Sequence, residues 1–403
     1  MTGPDAGTAH TARTADTADT ADTADTADVA VVGLGAWGAS ALWQLARRGI
    51  RAVGIERYGL ANINGSSHGE SRMFRTACLE HPALVPLAQR SRALWRQLEN
   101  ETGTRLFEPT GAMLIGPEDG RIVGGALRAA REHGLDIEVL DRDALRRRCP
   151  AHEGLPRDHI GVVEPAGGLT LPEATIRAAV GAARAAGARV LTDTRVTALE
   201  FTGPDVAVHT AAGRVLRVGQ VVVCAGPWLD QLVPGLPLEV VRMPTTWFRP
   251  EVPHERFTLG RLPVFMRELD GGDVLWGHGT PAGGTEVKLG LEDGGKHFRV
   301  VDAETVDRSV APADWSVLAG HLATTVPGVG PDPSRVTANI YARTPDGQFV
   351  IGRPRGNPGL VVAGGCSSHG FKHSTGIGEV VADLVQGKEP AFPLGFTDPD
   401  RFE

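Results

Sequence analysis

No stretch of the sequence approaches the roughly 18 consecutive apolar residues of a membrane-spanning helix, which argues against a span and for a soluble protein. Cysteine is scarce. Cys78, Cys149, Cys224 and Cys366 are far apart and form no C-x-x-C pair, so neither a zinc site nor a disulfide framework is signalled; no metal is expected, and a reducing cytoplasm fits. Basic clusters are also few. A formal net charge of −7, with Arg146-Arg147-Arg148 as a lone basic run, leaves no electrostatic footprint for nucleic acid, and the triplet reads as a solvated helix face. Residues 1–28 repeat Thr-Ala-Asp without the apolar core of a secretory signal, and are read as a disordered leader outside the fold. The 403 residues are enough for two or three domains.

What is present begins at Val29. Val29-Ala-Val-Val-Gly33-Leu-Gly35-Ala-Trp-Gly38, a helical stretch, and Ala52-Val-Gly-Ile-Glu56 make one complete nucleotide-binding unit. Gly33 allows the tight turn out of the strand, Gly35 lets backbone approach a pyrophosphate, and Gly38 lets the helix pack on the sheet. The helix N-terminus then offers free N–H groups to phosphate. Glu56 stands about 20 residues past the glycines, where a carboxylate accepts from ribose hydroxyls and repels a 2′-phosphate, favouring FAD or NAD over NADP.

Asn62–Arg75 is a polar loop rich in Gly, Ser and Asn, the type of segment that carries function. Periodicity predicts a helix over 83–100, a buried strand over 111–116 and a helix over 118–134 ending at Gly134. An Ala-rich helix over 172–186 precedes one alternating strand over 188–200, a hairpin-like pair over 205–210 and 214–218, and a continuous apolar strand at 220–224. Short alternating segments over 236–335, including 273–278 and 285–291, predict a mixed antiparallel sheet. The last return is strand 360–365, the turn to Lys372 and a helix over 375–386.

Five segments together resemble one family: Gly33-x-Gly35-x-x-Gly38; Asn64-Gly-Ser-Ser-His68-Gly-Glu-Ser-Arg72-x-x-Arg75; Val223-Cys-Ala-Gly226-Pro-Trp228; Val287-Lys288-Leu-Gly290; and Ser368-His369-Gly370-Phe371-Lys372-x-Ser-x-Gly376-x-Gly378-Glu379. They resemble the flavin-dependent amine oxidases of the monomeric sarcosine oxidase and N-methyltryptophan oxidase group, within the D-amino-acid-oxidase-like superfamily. The resemblance implies an α/β fold: a Rossmann-like FAD-binding domain (29–110, 165–235 and 335–403) interleaved with an α+β substrate domain on a mixed antiparallel sheet (111–164 and 236–334). It implies FAD held by Gly33, Gly35, Gly38, Glu56, Arg57, Ser67, His68, Arg72, Val196, Gly226, Trp228, Asn339, Gly365, Gly370, Phe371 and Lys372. Arg75 and Lys372 would take a substrate carboxylate as forked donor and point charge. Lys288 matches the lysine over the flavin that activates oxygen, where a fixed cation stabilises superoxide; on residues alone it could be a solvated strand lysine. Arg72 would lie beside the flavin ring. His369 lies in the adjacent loop, as a catalytic group or as a histidine that bonds a backbone carbonyl.

Two departures stand out. Asn339 occupies the position of the family's flavin-linking cysteine, in Asn339-Ile-Tyr341-Ala-Arg-Thr344-Pro-Asp346, so a non-covalent and less oxidising flavin is expected. Leu291-Glu292 replaces an aromatic and a histidine near the substrate amine, and Trp276 stands at a tyrosine position. Glu292 would bind a cationic amine or accept a proton, or else face solvent. The expectation is an FAD-dependent oxidase of an N-methyl or other secondary amino acid, using O2 and making hydrogen peroxide, with the cofactor performing the hard step. A cyclic or primary amino acid from a biosynthetic pathway, and a flavin dehydrogenase with another acceptor, are the alternatives. No nucleic acid, membrane or second chain is required, so a cytoplasmic monomer with a small-molecule substrate is expected.

Overall fold

Strand Ala27–Val32 lies parallel between Ala52–Ile55 and Val215–Val223, so its apolar run is covered on both edges and buried. In this computed structural model residues 27–252, 254–292, 296 and 298–403 are described. The strand opens at Ala27, two residues earlier than expected: Asp28 N donates to Arg51 O at 2.8 Å, which draws the end of the supposed leader into the sheet. Residues 1–26, the rest of that expectation, lie outside the described residues.

The eight-stranded sheet runs Val196–Thr202, Asp205–Thr210, Val215–Val223, Ala27–Val32, Ala52–Ile55, Arg189–Leu191, with Leu360–Gly364 parallel to Val215–Val223 and paired to Val350–Gly352. Helix Ala36–Arg47 is buried along most of its length because helices Pro172–Ala185 and Ser374–Val385 both pack on it. The strand expected over 188–200 is two strands, since Asp193 turns the chain with a φ of 53°. Conversely, the hairpin arm and the apolar strand after it form one nine-residue strand, Val215–Val223.

A nine-stranded sheet forms the second layer, in the order Arg299–Val300, Glu239–Phe248, Val287–Glu292, Val274–His278, Val264–Glu268, Ala112–Pro117, His159–Glu164, Glu138–Leu140. Arg335–Arg343, expected within the FAD-binding domain, pairs antiparallel with Glu239–Phe248 along its length and joins this sheet instead. Successive strand residues face opposite ways. Phe248, Val287, Leu289, Leu291 and Leu275 point to one side and pack with Leu318 and Leu322 of helix Ser316–Thr325. By the same alternation Trp247, Lys288, Gly290, Trp276 and Asn339 face the nucleotide layer. A three-stranded sheet, Arg72–Phe74, Gly168–Thr170 and Phe107–Glu108, lies where the layers meet.

Candidate active site

Where the first strand ends, the chain turns at Gly33 with a φ of 87°, and a Cβ there would strike Cys224 O. A Cβ on Gly38 would strike Gly33 O, so both glycines are required by the protein's own packing. Gly35 differs: a Cβ there would meet only Ser67 Oγ, at 3.6 Å, so its missing side chain leaves room on the cavity side. The following helix has no side-chain cap, leaving N–H groups at its first turn for a ligand. Glu56 accepts from Leu34 N at 2.8 Å and Tyr58 N at 3.0 Å, and its burial pushes its pKa upward.

This turn opens on a cavity of about 1520 Å³, counting the part open to solvent. Its walls run from the Gly33 turn and Glu56 to Asn339 and Gly370, so the glycine unit and the later returns of the chain meet on one space. Of the residues expected to hold the cofactor, Gly33, Gly35, Glu56, Arg57, Ser67, Arg72, Val196, Gly226, Trp228, Asn339, Gly365, Gly370 and Phe371 line it. Gly38 supports it from inside the helix. His68 and Lys372 stand outside its walls; burial, aided by Arg72, pulls the His68 pKa down to about 3. At one end the Arg57 guanidinium lies 5.1 Å from the Tyr58 ring and 5.4 Å from the Trp228 ring, and is held by Glu304 at 2.5 Å.

Lys288 sits at the junction of the layers. Cross-strand register aligns Arg335, Trp247, Lys288 and His278 in one row over four strands. The Lys288 ammonium is buried, donates to Gly69 O at 2.7 Å and Ser71 O at 2.9 Å, and lies 5.2 Å from the Trp247 ring. Burial and the nearby Arg72 push its pKa well below the ordinary lysine value. Arg72 donates to Ser71 O and Ser66 O at 2.8 and 3.1 Å. The same short loop, Gly69 to Arg72, therefore places both cations.

A second cationic corner forms where the segment after Phe74 meets the turn before helix Ser374–Val385. Arg75 and Lys372 are each 4 % exposed and share one acceptor, Glu80 Oε1, at 2.5 and 3.2 Å. Burial opposes the charge on Glu80, yet Arg75 and Lys372 hold its carboxyl well below the usual carboxylate range. His369 stacks on Phe349, donates Nε2–H to Gly347 O at 2.9 Å and sets Nδ1 4.0 Å from Glu80. Burial brings its pKa to about 4. Of the two readings of this histidine, the geometry displays the carbonyl-bonded one.

Glu292 is not brought to either corner. It is on the Lys288 face of its strand, but its carboxylate pairs with Arg121 at 2.9 Å and is 40 % exposed. The physical reason is Trp276, whose indole lies over Gly290, between Lys288 and Glu292 on that face, so closely that a Cβ on Gly290 would collide with it. The expectation that Glu292 meets the substrate amine is thereby corrected: it is a rim carboxylate in an ion pair. Asn339 does face the cavity, with its amide donating to Thr245 Oγ1 at 2.8 Å and accepting from Thr337 at 3.1 Å.

Residues 28–384 match the family described as FAD dependent oxidoreductase. The chain belongs to that family. Monomeric sarcosine oxidase of Streptomyces avermitilis is 34% identical over 378 residues, covering 92% of this chain and 96% of its own. N-methyl-L-tryptophan oxidase of Citrobacter koseri is 32% identical over 371 residues, covering 92% and 97%. Among solved structures, a Tyr258Phe mutant of NikD, an amino acid oxidase essential for nikkomycin biosynthesis, superposes with a TM-score of 0.81 at 27% identity, covering 93% of this chain and 97% of that one.

The cavity of this FAD-dependent oxidoreductase fits its cofactor on independent grounds. Ser66 and Trp228 line it, and their Oγ and Nε1 atoms are buried with no partner among the described residues, as donors meant for a bound polar molecule would be. Sequence reasoning passed over Glu80, Trp37, Ser71 and His278. Trp37 was within the glycine motif and lines the cavity, its indole donating to Gly370 O at 3.1 Å. Ser71 was within the loop motif that ends at Arg72 and Arg75; Glu80 and His278 carry no local signal, and only tertiary contacts select them.

Proposed function

We propose that this protein is an FAD-dependent amine oxidase that converts the C–N bond of an N-methyl or other secondary amino acid to an imine and passes the electrons to oxygen. The observation that carries this reading is the pair of buried cationic corners, one at Lys288 and one at Arg75 and Lys372, near the cavity that opens at the glycine turn. FAD, when bound, supplies the hydride acceptor and the route for electrons to oxygen. Arg75 and Lys372, which share a single oxygen of Glu80, would together take a substrate carboxylate. Arg75 contributes a planar fork and Lys372 a point charge. The His369 backbone carbonyl accepts from Lys372 Nζ at 3.1 Å and helps to place that ammonium. Trp276 walls the space near Lys288, excludes water and holds the amine away from Glu292. Lys288, with Arg72 near it, stabilises negative charge developing on oxygen in a site of low dielectric.

The Asn339 amide, bonded to Thr245 and Thr337, supports a non-covalent flavin, because no thiol stands at that position. The segments lining the cavity support an FAD-binding domain built on the eight-stranded sheet and a substrate domain built on the nine-stranded one. A reducing compartment completes the reading, supported by four free thiols. The likeness to NikD favours one second reading, oxidation of a cyclic or primary amino acid in a biosynthetic route.

Oxygen uptake by the FAD-loaded protein, across N-methyl, cyclic secondary and primary amino acids in both enantiomers, tests the proposal. Rapid uptake with carboxylate-bearing secondary amines is expected. Turnover seen only with an artificial acceptor would replace the oxidase with a dehydrogenase.

A further inference from the structure

Ser71 and His278 are buried beside Lys288, and the mechanism above leaves both unused. His278 Nδ1 lies 2.6 Å from Gly279 O; a carbonyl only accepts, so the proton is on Nδ1 and Nε2 carries a lone pair. Burial, with Lys288 nearby, lowers the His278 pKa to about 4, which keeps the ring neutral near pH 7. Nε2 is 2.8 Å from Ser71 Oγ, so the Ser71 hydroxyl donates its hydrogen there. A lone pair of the same oxygen then faces Lys288 Nζ, 3.4 Å away. Gly69 O and Ser71 O take the other two N–H groups, so an ammonium at Lys288 has an acceptor for each hydrogen.

The loop that presents these acceptors is itself held. Gly69 N and Glu70 N donate to Glu173 Oε1 at 2.7 and 3.1 Å, and Glu70 is paired with Arg335 at 2.5 Å. The charged groups bearing on Lys288 are Arg72 and Arg335, which oppose its charge, and Glu173 and Glu70, which favour it; His68 also lies within their field.

We propose that Ser71, oriented by His278, is a positioning residue for Lys288: the histidine fixes the hydroxyl so that its oxygen accepts from the ammonium and sustains the charged form used in the oxygen step. The inference rests on the proposed role of Lys288. Without His278 the hydroxyl is free to turn its hydrogen toward a neutral lysine nitrogen, which favours the uncharged form. Without the hydroxyl, one ammonium hydrogen has no acceptor.

The chain has four lysines, Lys288, Lys296, Lys372 and Lys388, so a lysine-labelled NMR titration of the FAD-loaded protein can follow Lys288 individually, assigned by the signal missing in Lys288→Met. In Ser71→Ala its midpoint moves to lower pH by about one unit, the scale expected for losing a hydrogen bond to a charged group. His278→Phe moves it the same way by less, and Ser71→Thr, which keeps the hydroxyl, restores it. The upper pH limit of kcat/KM for oxygen shifts in parallel, more than that of kcat/KM for the amine. Lys288 midpoints in Ser71→Ala and His278→Phe equal to that of the parent would overturn the inference. An unchanged oxygen step in Lys288→Met, with the NMR shifts intact, would instead remove the oxygen role of Lys288 and leave the hydrogen-bond chain standing.

Discussion

Arg75 Nη2 and Glu80 Oε1 lie 2.5 Å apart in a pocket where the arginine is 4 % exposed, so the forked cation meant for a substrate already holds a carboxylate of its own chain. Lys372 shares that oxygen, while Glu80 Oε2 has no hydrogen-bond partner among the described residues. One carboxylate oxygen thus pairs with both buried cations, and a second buried carboxylate, Glu164, also favours the charge on Arg75.

Glu80→Gln should lower stability by about 3 kcal/mol at pH 7, because it leaves two buried cations uncompensated. The sign with pH follows from the depressed folded pKa: the contribution is fully present above the ordinary glutamate value of about 4.3 and is lost as pH falls through the lower folded value. Denaturant midpoints of parent and variant should therefore converge in acid. A constant gap across that range would contradict the ion-pair account.

The same substitution raises the net charge of the corner by one. Simple monocarboxylates, tested as competitive inhibitors of the loaded enzyme, should bind several-fold more tightly to Glu80→Gln and more weakly to Lys372→Met. Unchanged inhibition in both would remove Arg75 and Lys372 from carboxylate recognition.

Acid precipitation should release the flavin from the parent protein, since Asn339 offers an amide already bonded to Thr245 and Thr337. Flavin that stays with the precipitated polypeptide would refute the non-covalent reading.

Glu292→Gln should leave amine affinity within about twofold of the parent and cost at most about 1 kcal/mol, the scale of an exposed ion pair. A large rise in KM for the amine alone would bring Glu292 back to the substrate.

Gly33→Ala should abolish flavin retention. The position has a φ of 87°, costing a side chain about 1–2 kcal/mol, and the added methyl would displace Cys224 O from the turn that shapes the cavity. Loss of bound flavin absorbance after gel filtration measures it.

The nucleotide unit was legible in sequence because each of its demands is local: a strand, a left-handed glycine, a helix start and a carboxylate within 28 positions. The alternation along Val287–Glu292 likewise encoded that Lys288, Gly290 and Glu292 share a face. It did not encode that Trp276, from the neighbouring strand, lies across Gly290 and separates the other two. Nor did it assign Arg335–Arg343 to a sheet, since a β-period names a strand's faces and not its partner.

The sequence by itself determined the chemistry available: Arg72, Arg75, Lys288 and Lys372 are basic in any fold, and the glycines at 33, 35 and 38 admit a dinucleotide before any partner is known. The tertiary structure decided which groups face each other. Glu80 meets Lys372 across 292 residues of chain, and His278 meets Ser71 across 207. Those encounters depend on how two sheets close on one loop, and burial there makes each charge dependent on the few acceptors within reach.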